Sequence, residues 1–340
     1  MNIEVYTDEN LFDELKPEWN TLLAKTRCNY VFLTWEWQRT WWQSFHPGDL
    51  YVITLRADDR SLLGIAPCFI HHQPKYGRVL RLIGCVEVTD YLAVIAHRDH
   101  EVEVFTALAD YLTGEGASAW DRIDFCNIRE NSPTLVHLAP LLEARGLDVL
   151  VKFEDVCPVI KLPDTWEAYL NMLDGKQRRE VRRKMRRAEA QGVTWRIVGP
   201  EDDLDAEMDA FLGLMAASTP EKAEFLKLPG NCDFFRRLAR VFMESGWLQL
   251  LFLDVNGRPA ATYLNFDYNN RVQVYNSGLD PSQFLQLSPG WVLLGHAIRH
   301  AIELGREEFD FLQGDEEYKY RMGGQDVKVW MLMADREAGG

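Results

Sequence analysis

Three short stretches hold most of the side chains that could do chemistry. The first is Lys176–Arg187, KQRREVRRKMRR, with eight basic residues and one acid. At helical spacing Arg178, Arg182 and Arg186 fall on one stripe and Arg179, Arg183 and Arg187 on the next, while Val181, Met185 and Ala188 make a thin apolar seam that can dock the helix before Gly192 ends it. Guanidinium groups so placed repel one another, so the run predicts an anionic ligand or an acidic neighbouring surface; a solvated face is the plainer alternative. The second stretch is Gly314–Gly324, GDEEYKYRMGG, directly after the apolar strand Phe309–Leu312. Sheets that alternate with helices put ligands at this end of a strand. Here the stretch offers Asp315, Glu316 and Glu317 as bases, Lys319 and Arg321 as charge stabilisers, and Tyr318 and Tyr320 to face a substrate. The third is Leu285–Leu294, where Ser288 reads as an N-cap, Pro289 suits a first helical position, and Gly290 lets a ligand approach the free N–H groups. A helix start of that kind favours phosphate.

Other groups read as structural. Trp35, Trp37, Trp41 and Trp42 could stack on sugars, but their spacing is also that of a helix packed into a core. His71-His72 and His296/His300 lack a carboxylate or Cys at ligand spacing, so no metal is expected. No GxSxG, Walker or GxGxxG sequence occurs.

The elements that must carry these groups recur. Tyr51–Leu55 and Leu62–Ile70 read as a hairpin, followed by a strand Tyr91–Ile95, a helix Val102–Leu112 and a strand Arg122–Asn127. The same order returns as a hairpin Leu248–Asp254/Pro259–Phe266 turning at Asn256-Gly257, a strand Arg271–Ser277, a helix Trp291–Leu304 and a strand Glu308–Leu312. Asp124-Phe125 and Asp310-Phe311 hold matching places, which implies two copies of one α/β domain, 1–156 and 157–336, each a twisted mixed sheet flanked by helices. The second begins at a Pro-containing strand, Pro158–Leu162.

Length and composition agree: 340 residues, 47% hydrophobic, suffice for two cores. A net charge of −15 disfavours a surface that grips nucleic acid all over, so any such contact must be local. No apolar stretch is long enough for a membrane span or a leader. The six scattered cysteines, with no CxxC pair, read as reduced thiols of a cytoplasmic protein.

Taken together, the basic segment from Trp166 to Gly192, the SPG helix start and FDFLQGDEEYKYRMG resemble the CelD-like, cellulose-biosynthesis-associated group of GNAT-like acetyltransferases, which is related to the FemABX peptidyltransferases. The resemblance is strongest over Trp166–Met331 and implies two tandem GNAT-like (acyl-CoA N-acyltransferase) domains. It further implies an acyltransferase that takes acetyl-CoA or another acyl-CoA, with Ser288, Gly290, Trp291 and Val292 near the pyrophosphate and Asn276, Ser277 and Gly278 beside the pantetheine. The acceptor would be an amine or hydroxyl on a small molecule or glycan precursor. Glu316 or Asp315 would remove its proton, and Lys319 or Arg321 would be the electrostatic partner. Arg178, Arg179, Arg182, Arg183 and Arg186 would hold the anionic part of the substrate. Gln286–Trp291 carries a Pro and a Trp where the GNAT phosphate signature has small residues. A FemABX-like transfer from aminoacyl-tRNA, and a non-catalytic scaffold that binds an anionic partner, therefore stand as alternatives. The first copy has His97-Arg98-Asp99-His100 in place of SPG, so one donor site per chain is expected.

Overall fold

The computed structural model describes residues 1–85 and 88–336. Two compact units form, residues 1–156 together with the stretch from Val327, and residues 157–326.

The first unit contains β1 (Asn2–Tyr6), α1 (Asn10–Leu23), α2 (Trp35–Phe45), β2 (Asp49–Arg56), β3 (Leu62–Gln73), β4 (Gly77–Leu82), β5 (Ile95–Ala96), α3 (Glu101–Thr113), β6 (Arg122–Arg129), α4 (Ala139–Glu143) and the start of β7 (Leu147–Lys161). Its sheet runs β1-β2-β3-β4-β6, with β4 antiparallel to β3 and parallel to β6. Thr34 caps α2 by accepting the Trp37 N–H. Trp37 and Trp41 are fully buried and Trp42 nearly so, which places these rings in the core.

The second unit takes the end of β7 and adds α5 (Trp166–Met172), α6 (Gly175–Glu189), β8 (Thr194–Ile197), α7 (Leu204–Ser218), α8 (Pro220–Lys227), α9 (Asn231–Glu244), β9 (Leu248–Val255), β10 (Arg258–Tyr268), β11 (Arg271–Leu279), α10 (Pro289–Glu303), β12 (Glu308–Asp310) and α11 (Glu317–Arg321). The sheet order is β7-β12-β11-β10-β9-β8. Asn256 and Gly257, both at positive φ (53° and 73°), close the β9–β10 hairpin with Val255 opposite Arg258. Strand alternation sorts the two faces. Leu251, Leu253, Tyr263 and Val272 join Leu170, Val181, Leu293 and Ile298 from α5, α6 and α10 in one buried cluster. On other positions of β10 and β11, Phe266 and Tyr275 meet Phe242 and Phe235 of α9.

The strands containing the two Asp-Phe pairs are equivalent: β6 and β12 each run parallel to the third strand of their own hairpin set. A final strand, β13 (Gln325–Arg336), lies antiparallel to β6, while the end of β7 lies antiparallel to β12.

Four sequence expectations need correction. Val327–Arg336 belongs with the first unit, because β13 pairs with β6. Tyr91–Ile95 is not the third strand of its repeat; only Ile95–Ala96 pairs, with β3, and the place is taken by β4, an unassigned segment in which Arg78 and Arg81 interrupt the apolar residues. Glu308–Leu312 stops as a strand at Asp310, because Leu312 turns to φ 56°. Finally, not all six cysteines are reduced. Cys85 and Cys126 form a disulfide, their Cα atoms 5.6 Å apart, because the β4–β6 pairing brings together residues 41 apart in sequence. Cys28, Cys68, Cys157 and Cys232 are thiols outside this disulfide. Among the described residues no helix is long and apolar enough to cross a membrane.

Candidate functional site

The parallel strands β11 and β12 pair only from Arg271/Glu308 to Gln273/Asp310. Beyond that point β11 continues to Leu279 with β10 as its strand partner among the described residues, and with a bulge at Tyr275. The two strands therefore part into a wedge whose open side exposes backbone of β11. Ser277 faces it: its N–H donates to its neighbour's Asn276 Oδ1 at 2.9 Å, and its carbonyl accepts from Lys222 Nζ at 2.6 Å rather than from a strand.

Helix α10 begins above this wedge. Val292 N–H donates to the Ser288 carbonyl, Ser288 N–H to Leu285, and Pro289 has no N–H, so the geometry of a helix start leaves the N–H groups of Gly290 and Trp291 without intrahelical acceptors. These two donors and the positive helix end form a small anion cradle. Tyr263 of β10 reaches it, its hydroxyl 3.4 Å from the Gly290 carbonyl. Ser288 occupies the N-cap position, but its φ of 53° turns the side chain away from capping, and it makes no such bond. Trp291 is partly buried with the Lys184 ammonium 4.1 Å above its ring, and Val292 is buried. Gly278 has a packing role as well: a Cβ there would stand 2.5 Å from Met215 N and 2.6 Å from Leu214 C of α7.

The loop leaving β12 closes the third side. Lys319 is 2% exposed, and its ammonium donates to the carbonyls of Leu312, Gln313 and Gly314 at 2.6–3.2 Å while pairing with Glu316 Oε2 at 2.8 Å. It is a knot that shapes the loop and holds the Glu316 carboxylate, not a cation free to meet substrate. Glu316 lies against Gly314, whose φ of 112° and missing Cβ make room for Oε2. The Tyr318 hydroxyl is pushed above the ordinary tyrosine range, first by burial and then by Tyr263 and Glu316. Asp315 is exposed. Arg321 pairs with Glu317, and the Tyr320 hydroxyl donates to Asp326 at 2.8 Å, both on the exposed side of α11.

Lys222 is the functional group that sequence reasoning missed. Burial lowers its ammonium to about 8, an effect that the Glu316 charge opposes. Nothing in PEKAEFLK marks it. Thr219 caps α8, accepting the Lys222 N–H, and α8 then directs this side chain to Ser277. The wedge thus brings together Ser277, Gly290, Glu316, Tyr318 and Lys319 from the sequence-derived set, adds Lys222 and Tyr263, and leaves Arg321 and Tyr320 outside.

The basic segment is α6, capped by Asp174, which accepts the N–H groups of Lys176 (2.8 Å) and Gln177 (2.9 Å). Arg178 turns to Asn171, at 2.7 Å. Arg179, Arg182, Arg183 and Arg186 line a cleft of about 920 Å3 between α6, α10 and β8. Among the described residues no group of three or more His, Cys, Asp or Glu is placed to hold a metal.

Residues 175–320 match the family described as the acetyltransferase (GNAT) domain. No curated protein sequence matches the chain. Among solved structures the chain is similar to FemX (TM-score 0.67, 12% identity, 96% of each chain covered). It is also similar to the C-terminal domain of a putative lysylphosphatidylglycerol synthetase from Agrobacterium fabrum (TM-score 0.57, 10% identity, 95% of this chain and 92% of that one). L-PGS from Bacillus licheniformis gives a TM-score of 0.57 at 10% identity, over 98% of this chain and 93% of that one. At such identities the likeness is one of fold.

Proposed function

We propose that the second unit transfers an acyl group from an activated donor to an amine or hydroxyl, with the reacting carbonyl in the β11/β12 wedge. The observation that carries this reading is the convergence there of a helix-start cradle, an opened strand edge and a carboxylate within reach of a low-pKa lysine. An acyl-CoA would supply a thioester carbonyl, and the residues fit part of it: the Gly290 and Trp291 N–H groups would hold phosphate, and Ser277 would run beside the pantetheine. Ser277 N–H, engaged only by the side chain of Asn276, is the donor available to a developing oxyanion. Glu316, positioned by Lys319, takes the acceptor's proton, with Asp315 as the alternative base. The Lys222 ammonium balances the Glu316 charge while that carboxylate is ionised, before it takes the proton. The arginines of α6 take the anionic part of the substrate.

A second reading is favoured by Pro289, which has no N–H and leaves the cradle only the Gly290 and Trp291 donors where a diphosphate would use more. In this reading the donor is an aminoacyl ester, as in the FemABX-like alternative, and the likeness of fold to FemX and to the domain of a putative lysylphosphatidylglycerol synthetase is in keeping with it. Binding separates the two. A thermal-shift screen should give a concentration-dependent rise in Tm with acetyl-CoA or a longer acyl-CoA under the first reading, and with aminoacyl-tRNA but not CoA under the second. Glu316→Gln and Asp315→Asn both retaining full transfer activity, with Gly290→Trp also silent, would leave only the non-catalytic scaffold.

A further inference from the structure

The cleft between α6 and α10 has a composition that an anchor for an anion does not by itself explain. Arg182 is neutralised by Glu167 and Arg299 by Glu303, whereas Arg179, Arg183 and Arg186 have no carboxylate partner among the described residues. They stand at i, i+4 and i+7 on one wall, so three like charges face one concavity, where Glu189 is the one acid in the lining. All three side chains are exposed, so water already screens part of their repulsion, and an anion that spans them would relieve the rest. The opposite wall is aromatic. Trp195 of β8 stacks on His296 of α10, ring centres 5.2 Å apart and planes within 20°, with His300 at its edge. Burial, helped by Arg299, lowers the His296 pKa, so this wall is a neutral, flat surface at neutral pH. A volume of about 920 Å3 far exceeds what one phosphate fills and lies in the range of pockets for whole small ligands.

We propose that this cleft binds a phosphate ester with a flat body, the phosphate on Arg179, Arg183 and Arg186 and the body against the Trp195–His296 stack. Guanidinium forks match phosphate oxygens, and an indole accepts either a base or the apolar face of a sugar. A nucleotide and a sugar phosphate share this chemistry. The inference deepens the reading of α6 as the anchor for an anionic substrate, but it concerns equilibrium binding and needs no turnover.

The test is calorimetric titration of the full chain with ADP, UDP, glucose 1-phosphate and inorganic pyrophosphate, at low and moderate salt. At least one ring-bearing ligand should bind tenfold or more tighter than pyrophosphate; the nucleotides leading identifies one source, and glucose 1-phosphate leading the other. Arg183→Gln should weaken binding at least fivefold while Arg187→Gln, the same charge change one turn along but outside the cleft, changes it less than twofold. Trp195→Leu should reduce ring-bearing ligands to the affinity of pyrophosphate, and Trp195→Phe, which keeps a ring, should retain most of the preference. Pyrophosphate binding as tightly as the ring-bearing ligands, equal effects of Arg183→Gln and Arg187→Gln, or no binding by any of the four would overturn the proposal. Loss of transfer with this binding intact would instead count against the wedge chemistry alone.

Discussion

Lys222 gives the sharpest quantitative test, because its burial links stability to pH in a direction opposite to that of the wedge tyrosines. Folding moves the ammonium from its ordinary 10.5 to about 8, mainly through desolvation. At pH 7 the group is charged in both states, and the folded state bears the whole cost, about 3 kcal/mol for a shift of that size. Between the two pKa values the unfolded chain binds more protons than the folded one, so stability rises with pH through this window. From pH 7 to 9.5 the gain is about 2 kcal/mol. Tyr263 and Tyr318, whose pKa values folding raises, act the other way, but only as pH approaches 10. Lys222→Met removes the titration and keeps the stem, leaving the Ser277 carbonyl without its 2.6 Å donor, a loss of about 1–3 kcal/mol that does not vary with pH. Urea denaturation of both proteins at half-unit steps should therefore show the wild type gaining about 2 kcal/mol on the variant between pH 7 and 9.5. Parallel curves over that range would mean that the amine is not desolvated, and its part in the wedge would fall with it.

Three further outcomes follow from the same geometry. Gly278→Ala drives a Cβ against the α7 backbone and should cost about 1–3 kcal/mol, read as a lowered urea midpoint with unchanged m. Glu316→Gln removes the countercharge of the buried Lys319 ammonium but leaves an acceptor beside it and its three carbonyls, so stability should fall by about 1–2 kcal/mol, whereas the transfer rate should fall at least about a hundredfold. A comparable loss in both would reassign Glu316 to the loop knot. Asp174→Ala removes the cap of α6 and should lower stability by about 1 kcal/mol in thermal unfolding, while Asp174→Asn, which still accepts the two N–H groups, restores most of it.

What could be read without coordinates was what local sequence determines. Asn256-Gly257 specified a hairpin because both residues tolerate the left-handed backbone that a two-residue turn requires. The arginine run specified a helix, because its apolar residues recur on one seam. The parting of β11 from β12 could be expected only through resemblance, since strand divergence is a property of pairing partners and no residue encodes it. β4 was missed for a related reason. Its Arg78 and Arg81 disguise a sheet strand, and their partners, Asp121 at 2.8 Å and Asp124, lie some forty positions on. Lys319 misled in the other sense: a lysine in a charged loop reads as a free cation, and only the fold shows three carbonyls converging on it.

The two repeats differ at the helix start that the proposed reading uses for the donor. In each unit a helix follows the third strand and returns to a parallel strand, so each has a helix N-terminus at the corresponding place. In α10 the first turn supplies no acid, and Pro289 and Gly290 leave two N–H groups open to a ligand. In α3 the first turn contains Glu101 and Glu103, and Glu101, 6% exposed, is fixed there by Arg27 at 3.3 Å and His137 at 3.7 Å. The chain's own carboxylates already meet the positive end of that helix, and an incoming phosphate would add a like charge to a buried acid. Equivalent topology therefore yields inequivalent helix starts through a few first-turn residues, and under the proposed reading the donor would go to the second unit.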